Sequence, residues 1–197
     1  MVQFAHPRAT TLDLILTGTP AEDFLSGGSG NDIIRGLAGP DHMHGYGGDD
    51  FLFGDDGPDE IKGGTGNDHL EGGAGRDRLW GGKGADYVHG GDGDDKIVGH
   101  FDGDLIIGGK GADAIRFAFS TESGEAGATA RMDGLDRLFL QDCDYTIASV
   151  DTRGTDLRGF SLAIANDGDG RTSELDVFLN GVAFHGADTI HDMIWVI

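Results

Sequence analysis

Aspartate recurs every nine residues through the first half of this 197-residue chain, eleven times without a gap. An apolar residue stands two positions after each aspartate, from Leu25 to Ile115, and a glycine stands five positions before each, from Gly18 to Gly108. One nonapeptide therefore repeats from Gly18 to Arg116, and each copy must form the same structural unit. The aspartates are Asp23, Asp32, Asp41, Asp50, Asp59, Asp68, Asp77, Asp86, Asp95, Asp104 and Asp113.

The full pattern is Gly-Gly-x-Gly-x-Asp-x-aliphatic-x, and residues 63–71 carry it most clearly. It resembles the repeats-in-toxin (RTX), or hemolysin-type, calcium-binding family. The resemblance implies an all-β fold, a right-handed parallel β-roll (β-helix) in which short strands are joined by glycine-rich turns that bind Ca²⁺. Four more stretches follow the pattern closely, namely residues 72–80, 81–89, 90–98 and 108–116.

The residue types fit that chemistry. Calcium takes six to eight oxygen ligands, aspartate supplies a short carboxylate, and glycine allows unusual φ values and a close approach to its carbonyl. The candidate ligands are the eleven aspartates, together with the glycines at the second and fourth positions of the turns that follow the pattern closely. Those glycines are Gly28, Gly30, Gly64, Gly66, Gly73, Gly75, Gly82, Gly84, Gly91, Gly93, Gly109 and Gly111. After each aspartate we expect a three-residue strand that points its middle, apolar side chain inward.

Two nonapeptides make one coil of such a roll, so turns on one edge belong to alternate repeats. Eleven repeats give edges of six and five turns, and one ion between neighbouring turns gives at most nine sites. Nine Ca²⁺ would add +18 to a net charge of −21. Because stacked carboxylates repel and ordered glycines are costly, we expect the repeats to be largely disordered without calcium.

Several turns depart from the pattern. Pro40 and Pro58 precede their aspartates in neighbouring turns of one edge, and proline fixes φ and removes an N–H donor. We expect those turns to be altered or empty, and the strongest sites to lie between Asp68 and Asp86, Asp77 and Asp95, and Asp95 and Asp113. Glycine at the fourth position is replaced by Ala21 and Asp102. Glycine at the second position is replaced by Thr19, Leu37, Tyr46, Asp55 and His100.

The charge of the chain limits its partners. A net charge of −21 repels nucleic acid and anionic lipid and indicates a demand for cations. No stretch approaches the roughly 18 apolar residues of a membrane span. Cys143 is the single cysteine, which rules out an intramolecular disulfide and favours a small buried apolar side chain.

The chain divides into an N-terminal cap at residues 1–17, the roll at 18–116 and a β-rich segment at 117–197. Ser120–Ala130 is interpreted as a loop, Asn180-Gly181 as a hairpin turn, and Ala187–His191 as a short helical turn. Five strands are predicted after the repeats, at Arg137–Leu140, Tyr145–Val150, Phe160–Ala165, Glu174–Leu179 and Ile194–Ile197.

Export is expected to use another route than the Sec pathway, since residues 1–19 lack a basic region followed by a long apolar core. RTX proteins exported by type I secretion often carry an uncleaved terminal signal, and Asp192–Ile197 looks like that ending. The resemblance implies a secreted, extracellular bacterial protein that meets type I secretion machinery. A final edge strand of any β domain would look similar.

One outer face of the roll is predicted to be apolar. Strand alternation places a row of large side chains outward on the sheet formed by every second repeat. We expect this face to be covered by the C-terminal segment or by a second molecule, because so apolar a surface is poorly suited to water. The row comprises Ile33, Phe51, Phe53, Tyr87, Leu105 and Ile107.

No catalytic motif is complete. His-Glu-x-x-His is absent, and Gly159–Ala163 approaches a nucleophile elbow but ends in alanine. Asn166–Gly170 lacks the EF-hand positions and favours a hairpin turn. The sequence predicts a secreted, non-catalytic calcium-binding protein. Two alternatives stay open, namely a polysaccharide-binding module like those of alginate epimerases, and a self-associating cell-surface or adhesion component.

Overall fold

The computed structural model describes residues 11–100, 102–118, 128–132, 137–140, 143–152, 157–166, 172–179 and 194–196. All regular structure in these ranges is β-strand, as expected, and none of their residues is helical. The strands through the repeats are β1 (Ile15–Thr17), β2 (Phe24–Ser26), β3 (Ile33–Ala38), β4 (His42–Gly47), β5 (Phe51–Asp56), β6 (Glu60–Thr65), β7 (His69–Ala74), β8 (Arg78–Lys83), β9 (Tyr87–Asp92), β10 (Lys96–His100), β11 (Leu105–Lys110) and β12 (Ala114–Ala118). After them come β13 (Ala128–Met132), β14 (Arg137–Leu140), β15 (Cys143–Thr152), β16 (Leu157–Asn166), β17 (Thr172–Leu179) and β18 (Ile194–Val196).

Two sheets form a parallel β-roll of about six coils. Sheet A runs β18-β14-β12-β10-β8-β6-β4-β2, and sheet B runs β1-β3-β5-β7-β9-β11-β13-β17-β16-β15. Within the repeats each residue pairs with the residue 18 positions later, as Leu70 does with Val88. The prediction that alternate repeats share an edge is confirmed.

The interior of the roll is a column of single apolar side chains, one for each repeat. From Leu25 to Ile115 these side chains are at most 3% exposed. The same column continues after the repeats with Phe117, Ala130, Leu138, Leu175 and Val177. Because alternate side chains of a strand point to opposite faces of its sheet, the middle apolar residue of each repeat points into this core.

The strands of the later repeats are longer than the predicted three residues, whereas β2 has three. In β7 the strand continues from Glu71 through Gly72 to Ala74, and Gly73 and Ala74 pair with Gly91 and Asp92. Glycine has weak strand propensity, but the coil 18 residues away supplies hydrogen-bond partners into the turn. The prediction of three residues is confirmed for β2 and was wrong for β3 to β12 for that reason.

Positive φ values mark the turns, and not only at glycine. Leu37, Tyr46 and Asp55 take the second position of their repeats with φ of 88°, 77° and 70°. Glycine occupies that position in five of the later turns with φ of 110–127°. These three residues therefore keep the turn conformation although left-handed backbone costs a non-glycine residue roughly 1–2 kcal/mol.

The two proline turns keep their backbone. Gly39 and Gly57 have φ of 105° and 136°, close to the 104° of Gly48 and the 136° of Gly111 at the same position of other turns. Proline stands at the fifth position of these turns. In the turns of the other edge, the fifth-position N–H groups form an outer ladder of hydrogen bonds: Asp49 donates to Asn31 Oδ1 at 2.9 Å, and Asn67 donates to Asp49 Oδ1 at 2.7 Å. Proline removes only an N–H of this kind. The expected alteration of these turns is thus not found in their backbone, and their ion occupancy stays a prediction.

The chain after Phe117 extends the same two sheets. β14 pairs parallel with β12, β13 with β11, and β18 with β14. β15, β16 and β17 then form an antiparallel meander at the end of sheet B. All five strands predicted here are confirmed, with β14 matching to the residue. The loop interpretation of Ser120–Ala130 was wrong for residues 128–130, which begin β13.

Sheet B keeps part of its outward row in solvent. Ile33 is 44% exposed and Phe51 is 48% exposed, while Phe53, Tyr87, Leu105 and Ile107 are partly buried. The described strands after residue 127 lie beside β11 and β12, at the end of the sheets. These strands therefore do not cover the apolar outer face of sheet B, as was expected of the C-terminal segment. The predicted turns at Asn180-Gly181 and Ala187–His191 lie outside the described residues.

Candidate metal site in the turns

A line of buried aspartates runs along each edge of the roll. All eleven repeat aspartates are at most 2% exposed. Each from Asp23 to Asp95 donates its backbone N–H to the Oδ1 atom of the aspartate 18 residues later, at 2.7–3.0 Å. One carboxylate oxygen therefore fixes the spacing of successive coils.

The other carboxylate oxygen has no protein partner in most turns. The Oδ2 atoms of Asp41, Asp50, Asp59, Asp68, Asp77, Asp86 and Asp95 are buried without a hydrogen bond. A buried polar atom of this kind is costly unless something else satisfies it. The ion pairs of the described residues use other carboxylates, among them Asp92 with Lys110 and Asp94 with Arg76.

Backbone carbonyls line the gaps between successive turns. A Cβ atom added to Gly73 would overlap the carbonyl oxygen of Asp55, and one added to Gly75 would overlap that of Gly57. A Cβ atom on Gly72 would overlap both the Gly90 carbonyl oxygen and Asp77 Oδ2. At Gly72, Gly73 and Gly75 the turn thus brings oxygens into the gap and leaves no room for a side chain.

The same placement holds for most of the glycines chosen from sequence. Carbonyls of the second position face the next turn at Gly64, Gly73 and Gly91, and those of the fourth position at Gly30, Gly66, Gly75 and Gly93. Gly82, Gly84, Gly109 and Gly111 have φ of 115–136°, and a Cβ atom on any of them would overlap the carbonyl oxygen of the turn before. Gly28 is buried in the first complete turn.

Burial shifts the acidity of these carboxyls. Loss of hydration raises the pKa of Asp41, Asp68 and Asp77 to about 6. It raises the pKa of Asp86 to about 8, where the charges of Asp104 and Asp68 add to the effect. The carboxylates are therefore poorly stabilised as anions by the protein alone. The same cause raises the pKa of Asp50, Asp59 and Asp95 to about 7.

The donor set suits a hard cation that accepts backbone oxygens. In the part of the chain that the structure describes, no three carboxylate, imidazole or thiol side chains converge on one point. A site in these turns must therefore combine one or two carboxylates with several carbonyls. Calcium binds such mixed oxygen sets, whereas zinc prefers nitrogen and sulfur. The unpartnered Oδ2 atoms and the lining carbonyls fit calcium.

A family model of the RTX calcium-binding nonapeptide repeat, four copies long, matches residues 17–52, 26–61, 53–88, 62–97 and 89–117. Together these matches span about half of the chain. The chain belongs to the RTX calcium-binding nonapeptide repeat family. Calcium is the ligand expected of RTX turns.

Among solved structures, the chain is similar to one described as the extracellular lipase LipA from Serratia marcescens. The likeness has 18% sequence identity and a TM-score of 0.30, and it covers 89% of this chain. This chain spans 40% of the length of that lipase chain. A comparison with curated proteins finds no match.

Two features of the turns were not predicted from the nonapeptide pattern. The outer ladder through Asp13, Asn31, Asp49 and Asn67 uses the fifth position of alternate repeats. Its signal is present in the sequence as Asp or Asn at intervals of 18 residues. The second feature is Asp102, whose carboxylate accepts the Gly84 N–H at 3.0 Å across the gap between two turns.

The segment that approaches a nucleophile elbow has a different backbone. Gly159–Ala163 lies inside β16, which pairs antiparallel with β15 on one side and β17 on the other. A nucleophile elbow needs a sharp turn from a strand into a helix.

The part of the chain that the structure describes contains no helical segment that could span a membrane.

Proposed function

We propose that this RTX protein is secreted, has no catalytic role, and folds outside the cell when its turns take up calcium. The observation that carries the proposal is the line of buried, unpartnered aspartate Oδ2 atoms along both edges. A Cβ atom on Gly72 would overlap both Asp77 Oδ2 and the Gly90 carbonyl oxygen of the adjoining turn, so the two oxygens share one gap. A cation between the turns would satisfy both sets of oxygens at once.

The proposed ligands are the aspartates with unpartnered Oδ2 atoms and the carbonyl oxygens of the first, second and fourth turn positions. Removing calcium would leave buried like charges stacked at each edge, at pH values above the raised pKa of each carboxyl. Folding and binding are therefore coupled, since the unfolded chain holds no such preformed site.

Calcium titration followed by far-ultraviolet circular dichroism tests this coupling. We expect little strand signal in chelator and a cooperative gain of signal as free calcium rises toward 10⁻⁴–10⁻³ M, the range of extracellular modules. Magnesium is the control ion, because it demands a smaller octahedral shell. A chelated chain with the same spectrum as the calcium-loaded chain would refute coupled folding.

The extracellular location follows from the same coupling. Cytosolic calcium is too scarce to fold the repeats, so the chain stays extended for passage through a secretion channel. The proposed export signal is Asp192–Ile197, by its resemblance to the endings of type I-secreted proteins. Export of a chain lacking these six residues, at the level of the full chain, would refute that assignment.

A second candidate function is self-association through sheet B. Ile15, Ile33 and Phe51 stand in register on neighbouring strands and are 79%, 44% and 48% exposed. Exposed apolar patches of this kind mark interaction surfaces. A sugar ligand has less support there, because Phe51, His69 and Tyr87 stack on one another and cover their ring faces, with centroid distances of 5.5 Å and 4.5 Å.

Light scattering in calcium tests this second function. We expect the full chain to associate as its concentration rises and an Ile33→Glu, Phe51→Glu variant to stay monomeric. The matched control is Lys96→Glu on the outer face of sheet A, where the exposed side chain is already polar. Equal masses for all three proteins would reject self-association through sheet B.

A further inference from the structure

The turns of the roll fall into two classes. In the open class, the second residue has φ between 70° and 127°. Asp41, Asp50, Asp59, Asp68, Asp77, Asp86 and Asp95 belong to such turns, and their Oδ2 atoms are without a hydrogen bond. The turn of Asp113 has the same conformation, with a φ of 115° at Gly109.

In the closed class, the second residue turns its backbone N–H onto the carboxylate of its own repeat. Gly28 donates to Asp32 Oδ2 at 2.6 Å, and His100 donates to Asp104 Oδ2 at 2.7 Å. Thr19 donates to Asp23 Oδ2 with both its N–H and its hydroxyl. None of these three second positions is among the residues with positive φ. The two classes are thus separated by backbone and by hydrogen bonding together.

A closed turn is poorly suited to a cation. Its N–H places the positive end of a peptide dipole against the carboxylate oxygen that an ion would need. The Oδ2 atom is already satisfied, so a cation would have to break that hydrogen bond before it gained this oxygen as a ligand. In the seven open turns from Asp41 to Asp95 the Oδ2 atom has no such competitor and gains the most from an ion.

Closed turns occupy ends of the edges. Asp23 begins one edge, and Asp32 and Asp104 are the first and last aspartates of the other. The turn of Asp32 follows a coil that has Leu14 at the aspartate position, so its outer side carries no carboxylate line. In the gap between Asp86 and Asp104, the Asp102 carboxylate already accepts the Gly84 N–H.

We infer that the roll holds six calcium ions, one in each gap whose two turns are both open. Four lie on one edge, between consecutive members of the series Asp41, Asp59, Asp77, Asp95 and Asp113, and two on the other, between Asp50 and Asp68 and between Asp68 and Asp86. The gaps Asp23–Asp41, Asp32–Asp50 and Asp86–Asp104 hold none. The inference rests on the proposed calcium function and narrows it to particular turns.

This assignment differs from what the repeat pattern alone suggests. Residues 27–35 match the nonapeptide at every fixed position, yet their turn is closed. Residues 36–44 and 54–62 carry proline and lack the second glycine, yet their turns are open. Occupancy therefore follows the turn conformation and the neighbouring coil more closely than the consensus.

The number of bound ions per chain tests the inference. The full chain is folded in calcium, freed of excess ion by gel filtration, and measured by native mass spectrometry and by elemental analysis. We expect six ions per chain; nine, or any other number, would overturn the assignment. No bound calcium would instead overturn the proposed function, so the two failures are distinguishable.

A pair of variants on one edge locates the ions. Asp32→Asn, in a closed turn, is expected to keep all six ions, whereas Asp68→Asn, in the middle of the open turns, is expected to lose two. A lower count for Asp32→Asn would overturn the assignment, and so would six ions in Asp68→Asn. If Asp68→Asn does not fold, the counts for the unsubstituted chain and for Asp32→Asn still decide.

Discussion

The eleven repeats and the strands that follow them share two sheets but close the edges differently. In the repeats, paired residues are 18 positions apart and the edges are glycine turns with buried aspartates. Beyond them, Leu105 pairs with Thr129 and Ala114 with Arg137, and longer connections replace those turns. The apolar column nevertheless continues through Ala130, Leu138 and Val177.

This difference between the repeats and the later strands separates two contributions to the fold, namely the packing of the sheets and the closure of the turns. The interior column and the parallel hydrogen-bond ladders are common to both regions, so they define the cross-section of the roll. The periodic aspartates and their turn glycines occur only where the chain turns back after nine residues. On the proposed function, calcium would close the short turns, whereas the continuation (strands β13 to β18) is held by packing and by pairing with β11 and β12.

The largest expected effect comes from removing calcium and comparing the two regions by hydrogen exchange. We expect amides of β5 to β10 to lose protection in chelator, because the buried carboxylates are then uncompensated. The continuation should lose protection with them, since β13 and β14 pair directly with β11 and β12. Persistent protection of β15 to β17 alone would show instead that the meander is an independent folding unit and would support a boundary near residue 117.

Acid should partly replace calcium in the repeats. Burial raises the pKa of Asp41 to about 6, of Asp59 to about 7 and of Asp86 to about 8, above the ordinary value of 3.8. A raised pKa in the folded state favours folding below the unfolded value, and this contribution is lost as pH rises through the folded value. The chelated chain should therefore gain strand signal as the pH falls from 8 toward 4. A chelated spectrum independent of pH would contradict this expectation.

Single core truncations should affect both regions alike. Leu79→Ala in the repeats and Leu138→Ala in the continuation each remove a fully buried side chain. Losses of about 2–5 kcal/mol are expected for each, measured by denaturant unfolding at fixed free calcium. The exposed change Lys96→Ala is the control, with a small expected effect. A negligible loss for Leu138→Ala would mean that the shared column does not stabilise the continuation.

The smallest effect concerns the second turn position. Leu37 has a φ of 88°, so Leu37→Gly relieves left-handed strain and should stabilise the calcium-loaded roll by about 0.5–1 kcal/mol, after the entropic cost of glycine. The reverse change, Gly73→Ala, should destabilise, since its Cβ atom would overlap the Asp55 carbonyl oxygen. Unfolding curves that move in the same direction for both variants would exclude this explanation.

Much of the roll could be predicted because its cause is periodic. The nine-residue spacing of Asp23 to Asp113 predicts the paired edges, and the apolar residue at the eighth position predicts the core. β13 was missed because Ala128–Met132 lies outside the period and is recognised only by its pairing with β11. The closed turn at Asp32 was missed because it depends on the preceding coil, which the local pattern of residues 27–35 does not contain.

The constant offset of 18 residues also sets how the chain can change in length. Removing one whole coil would leave every later strand in its own sheet, with its apolar side chain still inward. Removing a single nonapeptide would transfer each later strand to the opposite sheet and would move the meander of β15 to β17 with it. Insertions and deletions are thus tolerated in units of two repeats, so the roll can lengthen or shorten by whole coils while both of its ends stay unchanged.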